Sequence, residues 1–245
     1  TINGSGTKTF SGRLRGSGGF TYSGSGTMTF RGNNDISGPI SFNSGTIYAG
    51  TADDSSTTIF SNNITLAGAT LGGGGKIGGN VTSTGGSLAP GNSIGTLTID
   101  GNLELDSSST TTIEFNTTSA DKVVVDGNIT LAGSLVLEPA SGNYSDIKFI
   151  IFDGSDGSGN TLSGTFASTT VNNSSNLGDA TTSISYDTVN RKVFLEIEDN
   201  AVAVSNTVAS LTTNSEFKDV AAIFDAATAG KILEVANVLK SSNTN

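Results

Sequence analysis

Apolar and polar residues alternate in short runs along residues 1–140, and Gly-rich turns separate the runs. The heptapeptide Gly4–Phe10 returns 20 positions later as Gly24–Phe30, and a looser version begins at Ser44. Strict alternation predicts short β-strands, and a repeat this short must stack on its neighbours to bury its apolar face. The pattern therefore predicts a β-solenoid with coils of about 20 residues, each holding three strands that pair in parallel with neighbouring coils.

Longer repeats support the same interpretation. The hexapeptide Asn63–Gly68 recurs letter for letter as Asn128–Gly133. A Gly-Asn pair followed by an aliphatic residue opens strands at Gly79, Gly101 and Gly127, and the second interval is longer than the first. We expect about seven coils, whose length increases along the chain as the turns lengthen.

The pattern changes after residue 143. Ile147–Phe152 is a longer and more apolar run, and Leu162–Phe166, Ser183–Tyr186 and Lys192–Ile197 follow it. These segments predict β-hairpins that close the open end of the solenoid, because the last coil would otherwise present an unpaired strand edge. Residues 144–199 are therefore predicted to form a β cap on the coils of residues 1–143.

From Asn200 the apolar spacing becomes helical, which predicts a short α-helical tail over residues 200–245. One stripe follows a candidate N-cap at Asn214 or Ser215, and a second stripe follows Gly230. An apolar helix face needs a partner, so we expect these residues to form a contact face. It comprises Phe217, Val220, Ala221, Phe224, Ile232, Ala236 and Leu239.

Composition narrows the chemistry that the chain can perform. Apolar residues make up only 34%, which suits a solenoid, although intrinsic disorder is the competing interpretation. The chain has no Cys and no His, which excludes disulfides and thiol chemistry and removes the commonest general base. A net charge of −10 disfavours nucleic acid and anionic membranes as partners. The chain starts at Thr1 within a repeat, so we expect a fragment or a processed piece.

A local basic patch contrasts with this acidic chain. Lys8, Arg13, Arg15 and Arg31 all precede Asp35, which is the first acidic residue of the chain. One hypothesis is a patch that binds an anionic glycan or lipopolysaccharide. The alternative is an ordinary solvated solenoid face, with Arg15 stacked near Asp35 of the next coil.

Three oxygen-bearing residues in a Gly/Ser loop, Asp153, Asp156 and Asn160, are weak candidates for Ca²⁺ ligands. Their spacing fits neither the EF-hand loop nor the Gly-rich nonapeptide repeat, so a plain turn is the alternative. The adjacent acidic pair at residues 53 and 54 lacks the accompanying groups of a glycosidase site. The run Gly72–Lys76 lacks the following helix of a phosphate-binding loop. We therefore expect no catalytic residue and no cofactor.

One stretch carries a family resemblance. Leu88–Ile99, followed by Gly101-Asn102-Leu103, resembles the passenger-associated repeat of bacterial autotransporters, the type V secretion proteins. The order of segments from Tyr144 to Leu195 resembles the pertactin-like C-terminal cap, or autochaperone region. Residues 200–240 resemble the helical connector that leads into the translocator barrel. The resemblance implies a right-handed parallel β-helix that is exported through the Gram-negative outer membrane.

The leading functional expectation is a non-catalytic surface passenger that acts as a stalk or an adhesive surface. Its implied partners are the outer-membrane translocator barrel and a host or cell-surface glycan or protein. One alternative is a self-assembling subunit of a surface layer or filament, and another is the scaffold part of an enzyme whose catalytic region lies upstream. The family continues into a barrel, so we expect either cleavage near Asn245 or a chain cut at that point.

Overall fold

A computed structural model of the chain describes residues 1–51, 57–154 and 159–200. Within these ranges the chain is almost entirely β, with 24 strands and one 3₁₀ turn at Ser174–Leu177. The strands in chain order are β1 Thr7–Phe10, β2 Arg15–Gly16, β3 Phe20–Tyr22, β4 Thr27–Phe30, β5 Asp35–Ile36, β6 Ile40–Phe42, β7 Thr46–Ala49, β8 Thr58–Phe60, β9 Ile64–Leu66, β10 Thr70–Gly73, β11 Lys76–Ile77, β12 Val81–Ser83, β13 Ser87–Pro90, β14 Thr96–Ile99, β15 Leu103–Leu105, β16 Thr110–Phe115, β17 Lys122–Val125, β18 Ile129–Leu131, β19 Ser134–Pro139, β20 Ile147–Gly154, β21 Leu162–Gly164, β22 Ser168–Val171, β23 Thr181–Asp187 and β24 Lys192–Glu198.

Every third strand along the chain belongs to the same sheet. The first sheet has the order β1-β4-β7-β10-β13-β16-β19-β22, and the second has β21-β18-β15-β12-β9-β6-β3. The third runs β23-β24-β20-β17-β14-β11-β8, and the pair β2-β5 occupies this position of the coil in the first two coils. The named strands of neighbouring coils pair in parallel from β1 to β22, which confirms the predicted parallel solenoid with three strands per coil.

Coil length varies more than the sequence repeats indicate. Thr7 pairs with Thr27, so the first coil has the length that the heptapeptide repeat predicts. Thr70 pairs with Ser87 in a shorter coil, and Ser134 pairs with Ser168 in a much longer one. Coil length therefore increases toward the C-terminal end, as expected, but not at every step, and the corner loops take up most of the difference.

The core is one continuous column of inward side chains. In β7 the residues alternate between half-buried Thr46 and Tyr48 and fully buried Ile47 and Ala49, and most strands repeat this pattern. In the N-terminal coils the ring of Phe60 packs edge to face against two other rings. Its centroid lies 5.0 Å from that of Phe30 and 5.6 Å from that of Phe42. A chain with few apolar residues can build this core because only one or two residues per short strand point inward.

The Gly-Asn pairs form a ladder at one corner of the solenoid. The backbone N–H of Asn102 donates to the side-chain Oδ1 of Asn80 over 2.8 Å, and Asn102 Oδ1 accepts the N–H of Asn128 over 2.8 Å. Glycine is required before Asn128, because a Cβ on Gly127 would lie 2.6 Å from the backbone of Gly101. The ladder continues into the preceding coil, where the N–H of Asn80 donates to Asn63 Oδ1. It also continues into the following coil, where the N–H of Thr161 donates to Asn128 Oδ1.

The C-terminal end differs from the predicted series of hairpins. β21 pairs in parallel with β18, and β22 pairs in parallel with β19, so these strands continue the solenoid rather than forming hairpins. Among the described strands of this end, only β23 and β24 form an antiparallel hairpin, and β24 pairs antiparallel with β20. A stack of seven three-strand coils, followed by β22, is thus closed on its third sheet by one hairpin.

The predicted helical tail and its contact face from Phe217 to Leu239 lie outside the described residues, as do Asp156 and the acidic pair at residues 53 and 54. In the ranges that the structure describes, no helix is long and apolar enough to cross a membrane.

Candidate functional site at the hairpin junction

The turn between β23 and β24 directs one arginine into the protein. Asp187 closes the turn, since its carboxylate accepts the N–H of Asn190 over 2.9 Å and the side-chain amide of Asn190 over 2.6 Å. These side-chain and backbone hydrogen bonds lower the pKa of Asp187. Arg191 follows with a φ of 56°, a left-handed conformation that is uncommon for a residue other than glycine. The side chain of Arg191 is buried, with only 6% of the residue exposed.

Arg191 connects the hairpin to the coils. Its guanidinium Nη2 donates to the carbonyl oxygen of Val125 over 3.2 Å and to that of Gly127. The backbone carbonyl of Arg191 accepts the N–H of Gly154 over 2.9 Å. Glycine is required at position 154, because a Cβ there would lie 2.6 Å from the Cβ of Arg191. The arginine therefore crosses β20 and is held by backbone groups at the end of β17.

One ion pair lies further along the pairing of β20 with β24, toward the other end of the two strands. Lys148 Nζ lies 2.6 Å from Glu196 Oε1 and 4.1 Å from the centre of the Phe194 ring. The hydrogen bond from Lys148 lowers the pKa of Glu196, helped by one from Ser185. Both side chains of the ion pair are partly exposed, so the pair contributes little to stability.

A second polar site lies on the outer side of the first sheet. A small cavity of about 60 Å³ is bordered by Tyr48, the loop from Pro90 to Ser93, Glu114 and Asp121. Asp121 is 1% exposed; its Oδ1 accepts the N–H of Gly95 and its Oδ2 accepts the N–H of Glu114, both over 2.8 Å. A cavity of this size holds a few water molecules and is far smaller than a typical ligand pocket.

Burial governs the titration of Asp121. Loss of hydration raises its pKa to about 7, the two backbone N–H groups oppose this rise, and the nearby charge of Glu114 adds to it. A buried carboxyl group that titrates near neutral pH beside a second carboxylate is a functional-site candidate by general experience.

The predicted basic patch is distributed over different parts of the first coils. All four residues, Lys8, Arg13, Arg15 and Arg31, are exposed. Arg15 lies in register with Asp35, as predicted, and Arg13 Nη2 is 3.8 Å from the Asp35 carboxylate. Lys8 belongs to the first sheet, in register with Met28. Recognition of an anionic glycan by these residues stays a prediction.

Two of the three candidate calcium ligands already have protein partners. Asp153 lies 3.7 Å from Lys192 Nζ and 4.0 Å from Lys122 Nζ, and the side-chain amide of Asn160 donates to the carbonyl of Asp126 over 2.6 Å. Within the described ranges, no group of three or more acidic, His or Cys side chains is placed to hold a metal ion.

Sequence reasoning overlooked both Arg191 and Asp121. A signal for Arg191 existed, since it is the only arginine after Arg31 and lies in a turn between two apolar strands. Asp121 had no comparable signal, because its burial depends on a loop 26 positions earlier in the chain.

The junction and the coils together define a parallel β-solenoid closed by an antiparallel hairpin. Comparison with known proteins adds no family to this description: no family model matches the chain, and no curated protein matches it.

Proposed function

We propose that this chain is a non-catalytic passenger of the autotransporter type, displayed outside a Gram-negative outer membrane as a stalk or adhesive surface. In this proposal the coils are right-handed, residues 144–199 act as an autochaperone-like cap, and residues 200–245 form the helical connector to a translocator barrel. The proposal rests on the sequence resemblance and on one structural observation, the closure of the C-terminal end by a hairpin that Arg191 joins to the coils.

The hairpin suits a role in templating the stack. Its two strands are adjacent in sequence, so it forms by local contacts, which are faster to make than the long-range parallel pairings of the coils. Strand β20 pairs with β24 on one side and offers its other edge to β17. If the C-terminal part of the chain emerges from the membrane first, the free edge of β20 would serve as the template on which the preceding coils are added one after another.

The outer face of the first sheet supports the stalk or adhesive role. Every strand of this sheet places a hydroxyl residue at one register position, which gives an uninterrupted column along the solenoid. Such a surface is well hydrated and offers donors and acceptors to a glycan or protein partner. The column is Thr7, Thr27, Thr46, Thr70, Ser87, Thr110, Ser134 and Ser168.

Surface display tests the proposal. The chain is produced in a Gram-negative host with a periplasmic signal and an outer-membrane translocator barrel after residue 245. We expect antibody to stain intact cells and added protease to release a resistant fragment that contains the coils. In Arg191→Ala, the protease-resistant fraction on the cell surface should fall, whereas the matched neighbour Lys192→Ala should leave it unchanged.

Retention of the wild-type chain in the periplasm, with the barrel correctly inserted, would contradict the proposed route. Equal protease resistance of Arg191→Ala and wild type on the surface would contradict the role given to the hairpin junction.

A further inference from the structure

The carboxylate of Asp121 joins strand β16 to the loop that ends at Gly95, by two hydrogen bonds of equal length in different surroundings. The link to Glu114 is double, because Glu114 N–H donates to Asp121 Oδ2 and Asp121 N–H donates to the Glu114 carbonyl, each over 2.8 Å. The side-chain bond to Gly95 reaches a different coil, 26 positions earlier in the chain, and the N–H of the neighbouring Lys122 donates to the Gly95 carbonyl over 2.9 Å. Glu114 lies only seven positions from Asp121, and the antiparallel bridge between Phe115 and Ala120 holds the two segments together. If the carboxylate can accept only one N–H, we therefore expect it to lose the more distant partner, Gly95.

The loop that this bond holds has an unusual backbone. Gly91 has a φ of 78° and Ser93 a φ of 125°, a region that residues with a side chain rarely adopt. Asn92 and Ser93 are exposed and border the cavity beside Asp121. The Gly95 carbonyl also accepts the N–H of Lys122 over 2.9 Å, so the loop stays attached when its N–H is released.

The charged and titratable groups around Asp121 come from the adjoining elements. Glu114 on β16 borders the same cavity, and Glu138 on β19 is its register partner one coil further on. Tyr48 on β7 lies across the cavity, and Lys122 follows Asp121 with its Nζ 4.0 Å from Asp153. The loop from Gly91 to Gly95 carries no charged residue.

We propose that Asp121 is a proton-operated clasp, which holds the amides of both Gly95 and Glu114 when ionised and releases the Gly95 amide when protonated. A protonated carboxyl group carries one O–H donor and cannot accept from N–H donors at both oxygens with equal strength. Both groups that face Asp121 are N–H donors, so protonation removes one of the two bonds. Burial and Glu114 raise the pKa of Asp121 to about 7, which places the release close to neutral pH. This device is separate from the proposed surface role.

Nuclear magnetic resonance of the uniformly ¹⁵N-labelled full chain tests the clasp by following single amides from mildly acidic to mildly alkaline pH. We expect the Gly95 amide proton to move upfield on acidification, with a midpoint near pH 7. The Glu114 amide should move less. The amide of Gly127, which donates to the backbone carbonyl of Gly101, serves as the internal control and should not follow this transition.

Two variants sharpen the test. Asp121→Asn should abolish the Gly95 transition, and Glu114→Gln should shift its midpoint to lower pH because one neighbouring negative charge is removed. A Gly95 amide that stays constant, or that titrates with an ordinary aspartate midpoint near 4, would overturn the proposal. Equal movement of the Gly95 and Glu114 amides would also overturn it, because the release would then not be selective. The Glu114→Gln measurement keeps the test decisive if Asp121→Asn does not fold.

Discussion

Arg191 donates a hydrogen bond from its guanidinium Nη2 to the carbonyl oxygen of Val125 over 3.2 Å, although 66 positions separate the two residues. Val125 ends β17 and Arg191 lies in the turn before β24, while β20 runs between these two strands. The side chain thus spans a whole strand and joins the antiparallel hairpin to the parallel stack beyond it. Stability of the C-terminal end should depend on this one side chain.

Arg191→Ala should lower the free energy of unfolding by about 2–4 kcal/mol, because the hydrogen bonds from a charged group to two carbonyl oxygens are lost. Urea denaturation followed by circular dichroism measures the change. Lys192→Ala is the matched control, since Lys192 is partly exposed and its Nζ lies 3.7 Å from Asp153. That variant should lose no more than about 1 kcal/mol. Equal losses in the two variants would contradict the role of Arg191.

Gly127→Ala should destabilise the fold by about 1–3 kcal/mol, because its Cβ would lie 2.6 Å from the backbone of Gly101 in the preceding coil. The same denaturation measurement applies. Gly18→Ala is the control, since a Cβ at Gly18 would meet nothing within 4 Å. If Gly127→Ala is as stable as Gly18→Ala, the close approach of stacked corners is not what requires glycine here.

Asn102→Ala should cost about 0.5–1.5 kcal/mol, because the N–H of Asn128 loses the Oδ1 to which it donates over 2.8 Å. Asn102→Asp keeps an acceptor oxygen at the same place and should retain most of the stability. Hydrogen exchange of the Asn128 amide reports on the bond directly. Faster exchange in Asn102→Ala but not in Asn102→Asp is the expected result, and unchanged exchange in both would exclude a stabilising ladder.

The titration of Asp121 should increase the free energy of unfolding as the pH falls, which is the opposite of the usual effect of an aspartate. The pKa of this group is raised from 3.8 to about 7, so between these values the folded state holds a proton that the unfolded state has lost. The contribution of Asp121 is therefore fully present below pH 3.8 and decreases as the pH rises to about 7. The total change is at most on the order of 4 kcal/mol.

Denaturation of wild type and Asp121→Asn across this pH range checks that prediction. The difference between the two free energies of unfolding should change with pH, with wild type gaining relative to the variant on acidification. A difference that is constant, or that runs in the opposite direction, would show that the ionised form is the one favoured by the fold.

The parallel solenoid could be predicted from the sequence because its determinants are local. Alternation within strands, the Gly24–Phe30 copy of Gly4–Phe10 and the Gly-Asn pairs each report a position in the coil without reference to distant residues. The register pairs Thr7 with Thr27 and Val81 with Leu103, as these repeats indicate.

The end of the solenoid and the burial of Arg191 and Asp121 depend on distant contacts, which the sequence pattern cannot show. The strand β21 resembles a hairpin strand in sequence but pairs in parallel with β18, because the coil beneath it offers a free edge. Arg191 and Asp121 lie in polar turns that are typical of exposed loops, and only the fold brings backbone groups around them.

Labelling of a single cysteine on intact cells tests the proposed display most directly. The chain has no natural cysteine, and Val189 in the hairpin turn is 88% exposed, so Val189→Cys gives one reactive and harmless site. The full chain is expressed ahead of an outer-membrane translocator barrel and treated with a membrane-impermeant maleimide. We expect labelling of intact cells equal to that of lysed cells. Labelling that appears only after lysis, with the barrel inserted, would contradict the assignment of this chain as a surface-displayed passenger.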